Sequence, residues 1–167
     1  MFTEISYHDF SINAIDKIKN DWFLITAGNQ NHFNTMTASW GGLGNLWNEC
    51  VAFVFVRPQR YTYQFTEEND TMTLSFYPKE CHQALSLLGT KSGKDSHKIQ
   101  ESGLTPMKFN DSMAFKEAEY VIVGKKLYIH DIKEENMLDD TIMKQYPQKD
   151  FHRMYIVKIE HIYQKMN

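Results

Sequence analysis

Cysteine is scarce in this 167-residue chain: Cys50 and Cys81 stand far apart and form no CxxC pair. That usage fits a reduced, cytoplasmic protein better than a disulfide-stapled secreted one. Long apolar runs are missing too. The longest, Cys50 to Val56, falls far short of the roughly 20 residues a membrane-spanning helix needs. The opening MFTEISYHDF has neither the basic nor the apolar segment of a signal peptide. Positive charge is not in excess: 18 Lys+Arg face 21 Asp+Glu, a formal net charge of -3. That balance gives no footprint for duplex nucleic acid or an anionic membrane. With 4 prolines and 8 glycines there is no Pro/Gly-rich linker, and no fixed-period repeat appears. The length fits one domain spanning residues 1–167.

Aromatic residues are well supplied: 11 Phe, 9 Tyr and 3 Trp. Phe53 and Phe55 are expected in the core, and the others raise the question of a flat ligand. Ser11 as N-cap with Ile12, Ile15 and Ile18 at helical spacing predicts a short opening helix. Trp22 to Thr26, Phe33 to Trp40 and Thr71 to Tyr77 read as strands, and Cys50 to Val56 as a strand buried on both faces. Pro58 fits a helix start, predicting a helix over Gln59 to Glu68. Glu80 to Leu88 reads as a helix stopped by Gly89, and Ser96 to Ser102 as another helical turn or two. Tyr120 to Val123 and Lys126 to Ile132 read as strands of one long ribbon bent around Gly124, Asp140 to Tyr146 as a short helix, and Arg153 to Tyr163 as a last strand. Strands without regular helical crossovers predict a mainly β, antiparallel barrel with short peripheral helices.

Three stretches carry chemistry. In NTMTASWGG, Asn34 to Gly42, the hydroxyls of Thr35, Thr37 and Ser39 share one strand face, and Met36, Ala38 and Trp40 share the other. Hydroxyls followed by a glycine turn suit a polar ligand edge; they equally suit an edge strand with a polar outer face. In VRPQRYT, Arg57 and Arg60, two of three arginines beside fifteen lysines, flank the predicted helix start. Two guanidinia beside a helix N-terminus make an anion site, or a solubilised surface. In GTKSGKDSHK, small residues with Lys91, Lys94 and Lys98 suit a phosphate without matching a P-loop. The seven histidines give no HExxH and no metal-ligand spacing, and no GxSxG marks a hydrolase serine. His82, His130 and His161 read as surface or packing residues, Cys50 as core. Cys81 lies near a helix start, where a thiol pKa can fall, but nothing else supports a reactive thiol.

In this order the stretches resemble the flavin reductase family, whose fold is the FMN-binding split β-barrel, and its flavoredoxin-like branch in particular. DWFLITAG, NTMTASWGGLGNLW, VFVRPQRYTYQF, LSFYP, GTKSGKDSHK, GLTP and DFHRMYI carry the resemblance over most of the chain. It implies a homodimer with one FMN per subunit near the interface, taking hydride from NAD(P)H and passing electrons to flavin or another acceptor. It also allows an electron carrier without reductase activity of its own. A split barrel for haem, a pyridoxal-type cofactor or another phosphate ligand stays open as a third reading. Carried across, the resemblance nominates Asn34, Thr35, Met36, Thr37, Ala38, Ser39 and Trp40 for the flavin. Arg57, Arg60, Tyr61 and Thr62 are nominated for ring edge or phosphate, and Ser92, Gly93, Lys94 and Lys98 chiefly for phosphate. Tyr77 is expected to line the pocket, and no catalytic side chain or metal is implied. One departure stands out: His97 precedes Lys98 where the family pattern has an acidic residue.

Overall fold

The computed structural model describes residues 1–94 and 97–166. Asp95 and Ser96, and with them part of the expected SGKD loop and the start of the expected helical turn, lie outside the described residues. The first strands are β1 (Phe2–Ile5), β2 (Phe23–Asn29), β3 (His32–Ala38), β4 (Gly41–Leu46), β5 (Glu49–Val56) and β6 (Thr71–Phe76). A hairpin of β7 (Pro106–Phe109) and β8 (Ser112–Phe115) follows, then the long strands β9 (Tyr120–Asp131) and β10 (Arg153–Lys165). The main sheet runs β3-β2-β6-β9-β10-β5-β4, with β1 on β10, and neighbouring strands are antiparallel. This is a split β-barrel.

The split arises where β9 and β10 change neighbours. Residues 120–125 of β9 pair with β6, whereas 126–131 leave β6 and stay with β10. The expected bend at Gly124 is there: a Cβ on it would lie 2.4 Å from Val157 Cγ1, at a register shift in the ladder. Inside the barrel sit Phe23, Ile25, Met36, Val54, Leu74, Phe76 and Val157, closed by Phe65 of α2 (Thr62–Glu68). The outer face of β2 and β9 carries Leu24, Val121 and Val123, which pack under Leu85 and Leu88 of α3 (His82–Thr90) and Phe115 of the hairpin.

Several elements differ from expectation for local reasons. The opening helix, α1 (Ala14–Asp16), is capped by Asn13, not Ser11: the Asn13 side chain accepts from the Asp16 amide, and Ile15 is 79% exposed. Residues Gly41–Leu46 form a strand along β5 rather than a glycine turn, because the missing side chains let the Phe53 ring lie against Gly42 and Gly44. Phe53 and Phe55 are half-buried on that outer face, while Val54 and Val56 hold the core places. The helix after Pro58 begins only at Thr62; a turn with Arg60 N–H on Arg57 O comes first. Gly89 does not end α3 but lies within it. Cys81 is partly buried, and that burial raises its thiol pKa.

Candidate functional site

β3, the Arg57–Arg60 turn, the C-terminal end of α3 and α4 (Lys98–Glu101) converge on one side of the barrel. The close approach of α3 to β3 depends on Gly89, whose added Cβ would stand 3.2 Å from Thr37 Cβ. Thr37 Oγ1 donates to Leu85 O at 2.5 Å and ties the two elements together. Gly93 does the same for the following loop: a Cβ there would meet Asn34 Oδ1 at 2.5 Å. Asn34 Nδ2 in turn donates to Thr62 Oγ1 at 3.0 Å, linking the strand to α2.

Four adjoining cavities line this seam. The first, about 220 Å³, lies among Met36, Thr37, Ala38, Ser39, Trp40, Phe55, Arg57, Arg60 and His152. One of 170 Å³ continues from Thr37 and Ser39 to Trp22 and Gly89. A small one, 80 Å³, joins Arg60, Tyr61 and Thr62 to Thr90, Ser92 and Lys98. The last, 530 Å³, opens beyond Lys98 past Asn34, Tyr61 and Gly93. No carboxylate lines any of the four among the described residues, although the chain as a whole is acidic. A larger hollow of 630 Å³ lies elsewhere, between the opening helix and the ends of β9 and β10; Asp16 and Glu119 line it, and it holds none of the nominated residues.

The cations in the seam are partly withdrawn from solvent: Lys98 is buried, and Arg57 and Arg60 are half-buried. Arg60 Nη1 donates to Gly89 O at 2.7 Å, and its Nη2 is buried without a partner among the described residues. Lys98 is 2% exposed and its Nζ donates to Leu88 O at 3.2 Å. Burial, with the neighbouring Arg60, lowers its pKa to about 8. Arg60 is lowered by burial and by Arg57. A buried ammonium beside a half-buried guanidinium, with no carboxylate among the described lining residues, is costly unless an anion joins them. A phosphate fits this donor set, supplying the acceptor that Arg60 Nη2 lacks and a charged partner for the Lys98 ammonium.

Arg57 is engaged differently. Its Nη1 donates to Asp150 Oδ2 at 2.5 Å and its Nη2 to Gln145 O at 2.7 Å, while Gln59 also donates to Asp150. The guanidinium lies 6.0 Å from the Trp40 ring centre and 5.2 Å from that of Tyr146. Beside it, His152 is 8% exposed, shares a 2.9 Å hydrogen bond with Tyr146 Oη and packs 4.8 Å from Trp40. Desolvation, then the Arg57 charge, lower the His152 pKa to about 4, so it is neutral at pH 7. Trp40, 41% exposed, forms an aromatic wall at the mouth.

The structure thus brings together Asn34, Met36, Thr37, Ala38, Ser39, Trp40, Arg57, Arg60, Tyr61, Thr62, Ser92, Gly93 and Lys98. Three nominated residues line none of these cavities. Thr35 is fully buried, sharing a 2.8 Å bond with Thr26 and donating to Ile25 O. Tyr77 is 1% exposed in the outer core, its hydroxyl on Ser75, and so is no part of the wall. Lys94 is exposed beside the seam. The nominations did not include Trp22, Phe55, Asp150 and His152. DFHRMYI contained the last pair, but only the packing of β10 against β5 carries them to Trp40.

An antiparallel split barrel with a cationic seam, carboxylate-free among the described residues, beside an aromatic wall suits a flat, anionic ligand. Residues 15–167 match the model of the flavin reductase like domain, and the chain belongs to that family. Among solved structures, it is similar to an FMN-binding domain of a flavin reductases-like enzyme from Shewanella baltica OS155, at 15% identity and TM-score 0.69 over 98% of this chain and 77% of that one. Flavoredoxin of Desulfovibrio vulgaris (Miyazaki F) is 19% identical with TM-score 0.68, covering 96% and 77%. An FMN-binding protein from Thermus thermophilus is 14% identical with TM-score 0.69, covering 95% and 74%. No curated protein matches the chain in sequence.

Proposed function

We propose that residues 1–167 form one flavin reductase-like domain that binds FMN and moves hydride or electrons from NAD(P)H to flavin or another small acceptor. The observation that carries this reading is buried Lys98 beside the buried, unpartnered Nη2 of half-buried Arg60, with no carboxylate among the described lining residues, at one end of a seam walled by Trp40. Arg60, Lys98 and the Ser92–Gly93 backbone would hold the phosphate; Thr37, Ser39 and the β3 backbone would meet the ring's polar edge; Met36, Ala38 and Trp40 would cover its apolar part. FMN, when bound, supplies the two-electron redox centre. The protein's own part is placement and electrostatics: Arg57, braced by Asp150, keeps a positive charge beside the seam, which favours an anionic reduced ring. Neutral His152 fills the wall without adding a competing charge.

Homodimerisation belongs to the same proposal. Trp47, 57% exposed, after β4, and Leu127, 43%, Tyr128, 44%, and Ile129, 42%, on the half of β9 that has left β6, display apolar area, and the Trp47 and Tyr128 rings lie 6.0 Å apart. Sedimentation should give twice the chain mass; a monomer at micromolar concentration overturns that part. The similarity to flavoredoxins favours a second reading, an electron carrier sharing the same site. Anaerobic mixing with NADH and NADPH separates the two: rapid bleaching of bound FMN supports the reductase, and bleaching only by a reduced partner protein supports the carrier.

A further inference from the structure

Trp22 stands in backbone that an L side chain rarely adopts, with φ 65° and ψ 173°. Glycine would take that conformation without steric cost. A tryptophan persists there only where its surroundings fix it, and two contacts do so. The His82 ring packs on the indole at 4.0 Å between ring centres, and the indole lies against the outer cluster that contains Leu24 and Leu85. Trp22 immediately precedes the Phe23–Ala38 pair of β2 and β3, which brings it beside Ser39 at the edge of the seam. There it walls the 170 Å³ slot with Ala38 and Leu85. An apolar cavity of roughly 150 Å³ holds one benzene ring, so the slot suits a single ring and is too small for three fused ones. No charged side chain lines it among the described residues, unlike the adjoining cavity at Arg57 and Arg60. Thr37 Oγ1 and Thr90 Oγ1 are committed to the carbonyls of Leu85 and Ser86. The Ser86 hydroxyl makes no hydrogen bond among the described residues and is left to donate to a ligand carbonyl.

Resting on the FMN reading above, we propose that Trp22 is a specificity-determining residue: its indole restricts the slot beside the flavin to an acceptor with one uncharged, carbonyl-bearing ring, and shuts out a second flavin. A nicotinamide tethered to a dinucleotide brings a diphosphate, for which the slot holds no cation; a free ring needs none. Size is set by the indole and orientation by Ser86, while the flavin's own contacts stay with β3, Arg60 and Lys98.

The test titrates FMN-loaded protein by calorimetry with acetophenone, a neutral single-ring ketone, and with lumiflavin, a three-ring flavin without phosphate. Wild type should bind acetophenone saturably and lumiflavin at least about tenfold more weakly. Trp22→Gly, whose backbone suits φ 65°, should bind lumiflavin about tenfold or more tighter than wild type does and acetophenone more weakly. Trp22→Phe should shift both in the same directions by less, and it decides the matter if circular dichroism shows Trp22→Gly unfolded. A wild type that binds no acetophenone, or an unchanged preference in the folded variants, overturns the proposal. So does loss of FMN by folded Trp22→Gly, since the indole would then belong to the flavin's own wall. Displacement of acetophenone by NAD+ overturns the assignment to the acceptor. Failure of the wild type to bind FMN, read before either ring is added, overturns the proposed function instead.

Discussion

Lys98 shows how one buried charge couples stability to ligand. Its pKa of about 8 lies below the ordinary 10.5, because burial penalises the ammonium and Arg60 repels it. Between those values the unfolded chain holds a proton that the folded one has lost, so stability without ligand rises as pH climbs from about 8 to 10.5. A bound phosphate has the opposite effect, favouring the charged ammonium; FMN affinity should therefore fall as pH rises above about 8. Lys98→Met should raise the melting temperature of flavin-free protein at neutral pH yet weaken FMN by roughly 1.5–3 kcal/mol, measured by calorimetry and flavin fluorescence. Arg60→Ala should weaken FMN by a similar amount, roughly 1.5–3 kcal/mol. Arg57→Ala should cost less affinity, since Asp150 already partners that guanidinium. For His152 the same sign holds, in a window on the acid side. Its pKa of about 4 lies below the ordinary 6.5, so stability falls as pH drops from about 6.5 towards 4; His152→Gln should flatten that limb of a denaturation-versus-pH curve. The three arginines were a legible signal, yet the sequence could not say that Arg153 would brace β10 to Asp131 and Glu67 while Arg60 kept a nitrogen unpaired.

Elements position these residues through close approaches that side-chain patterns do not announce. Gly89 has the look of a helix stop, but its function is to let α3 lie on Thr37. Gly89→Ala should destabilise by about 1–3 kcal/mol in chemical denaturation, because the 3.2 Å contact forces α3 off β3. Gly93→Ala, whose Cβ would meet Asn34 Oδ1 at 2.5 Å, should instead act mainly on the site, weakening FMN with a smaller loss of stability. Strand β10 was readable from its alternation, and β9 as two pieces of one ribbon around Gly124, which the structure joins in a single strand. The glycine strand β4 was not, since residues without side chains show no alternation, and only pairing with β5 makes it a strand. Likewise, Pro58 marked a change of direction, whereas the hydrogen bonds of the Arg57–Arg60 turn delayed the helix to Thr62. Thr35 and Tyr77 failed as site residues for one reason: local pattern gives a face, not what covers it, and both are covered on the outer side of the barrel, away from the seam.

At the scale of the whole molecule, the split barrel converts ordinary β pairing into an edge where β3, a turn and two helices meet. Net charge hid this, since the acidic total coexists with a seam whose described lining is cationic. The aromatic supply divides between two cores and a wall, with Phe23, Phe65 and Phe76 inside the barrel and Trp40 at the site. That division makes the central claim a binding claim, and a direct titration addresses it. Flavin-stripped protein should quench added FMN fluorescence to saturation at one FMN per chain, and Lys98→Met should shift the midpoint to at least about tenfold higher FMN. Absence of saturable quenching by the wild type, or an unshifted midpoint in Lys98→Met, would contradict the account.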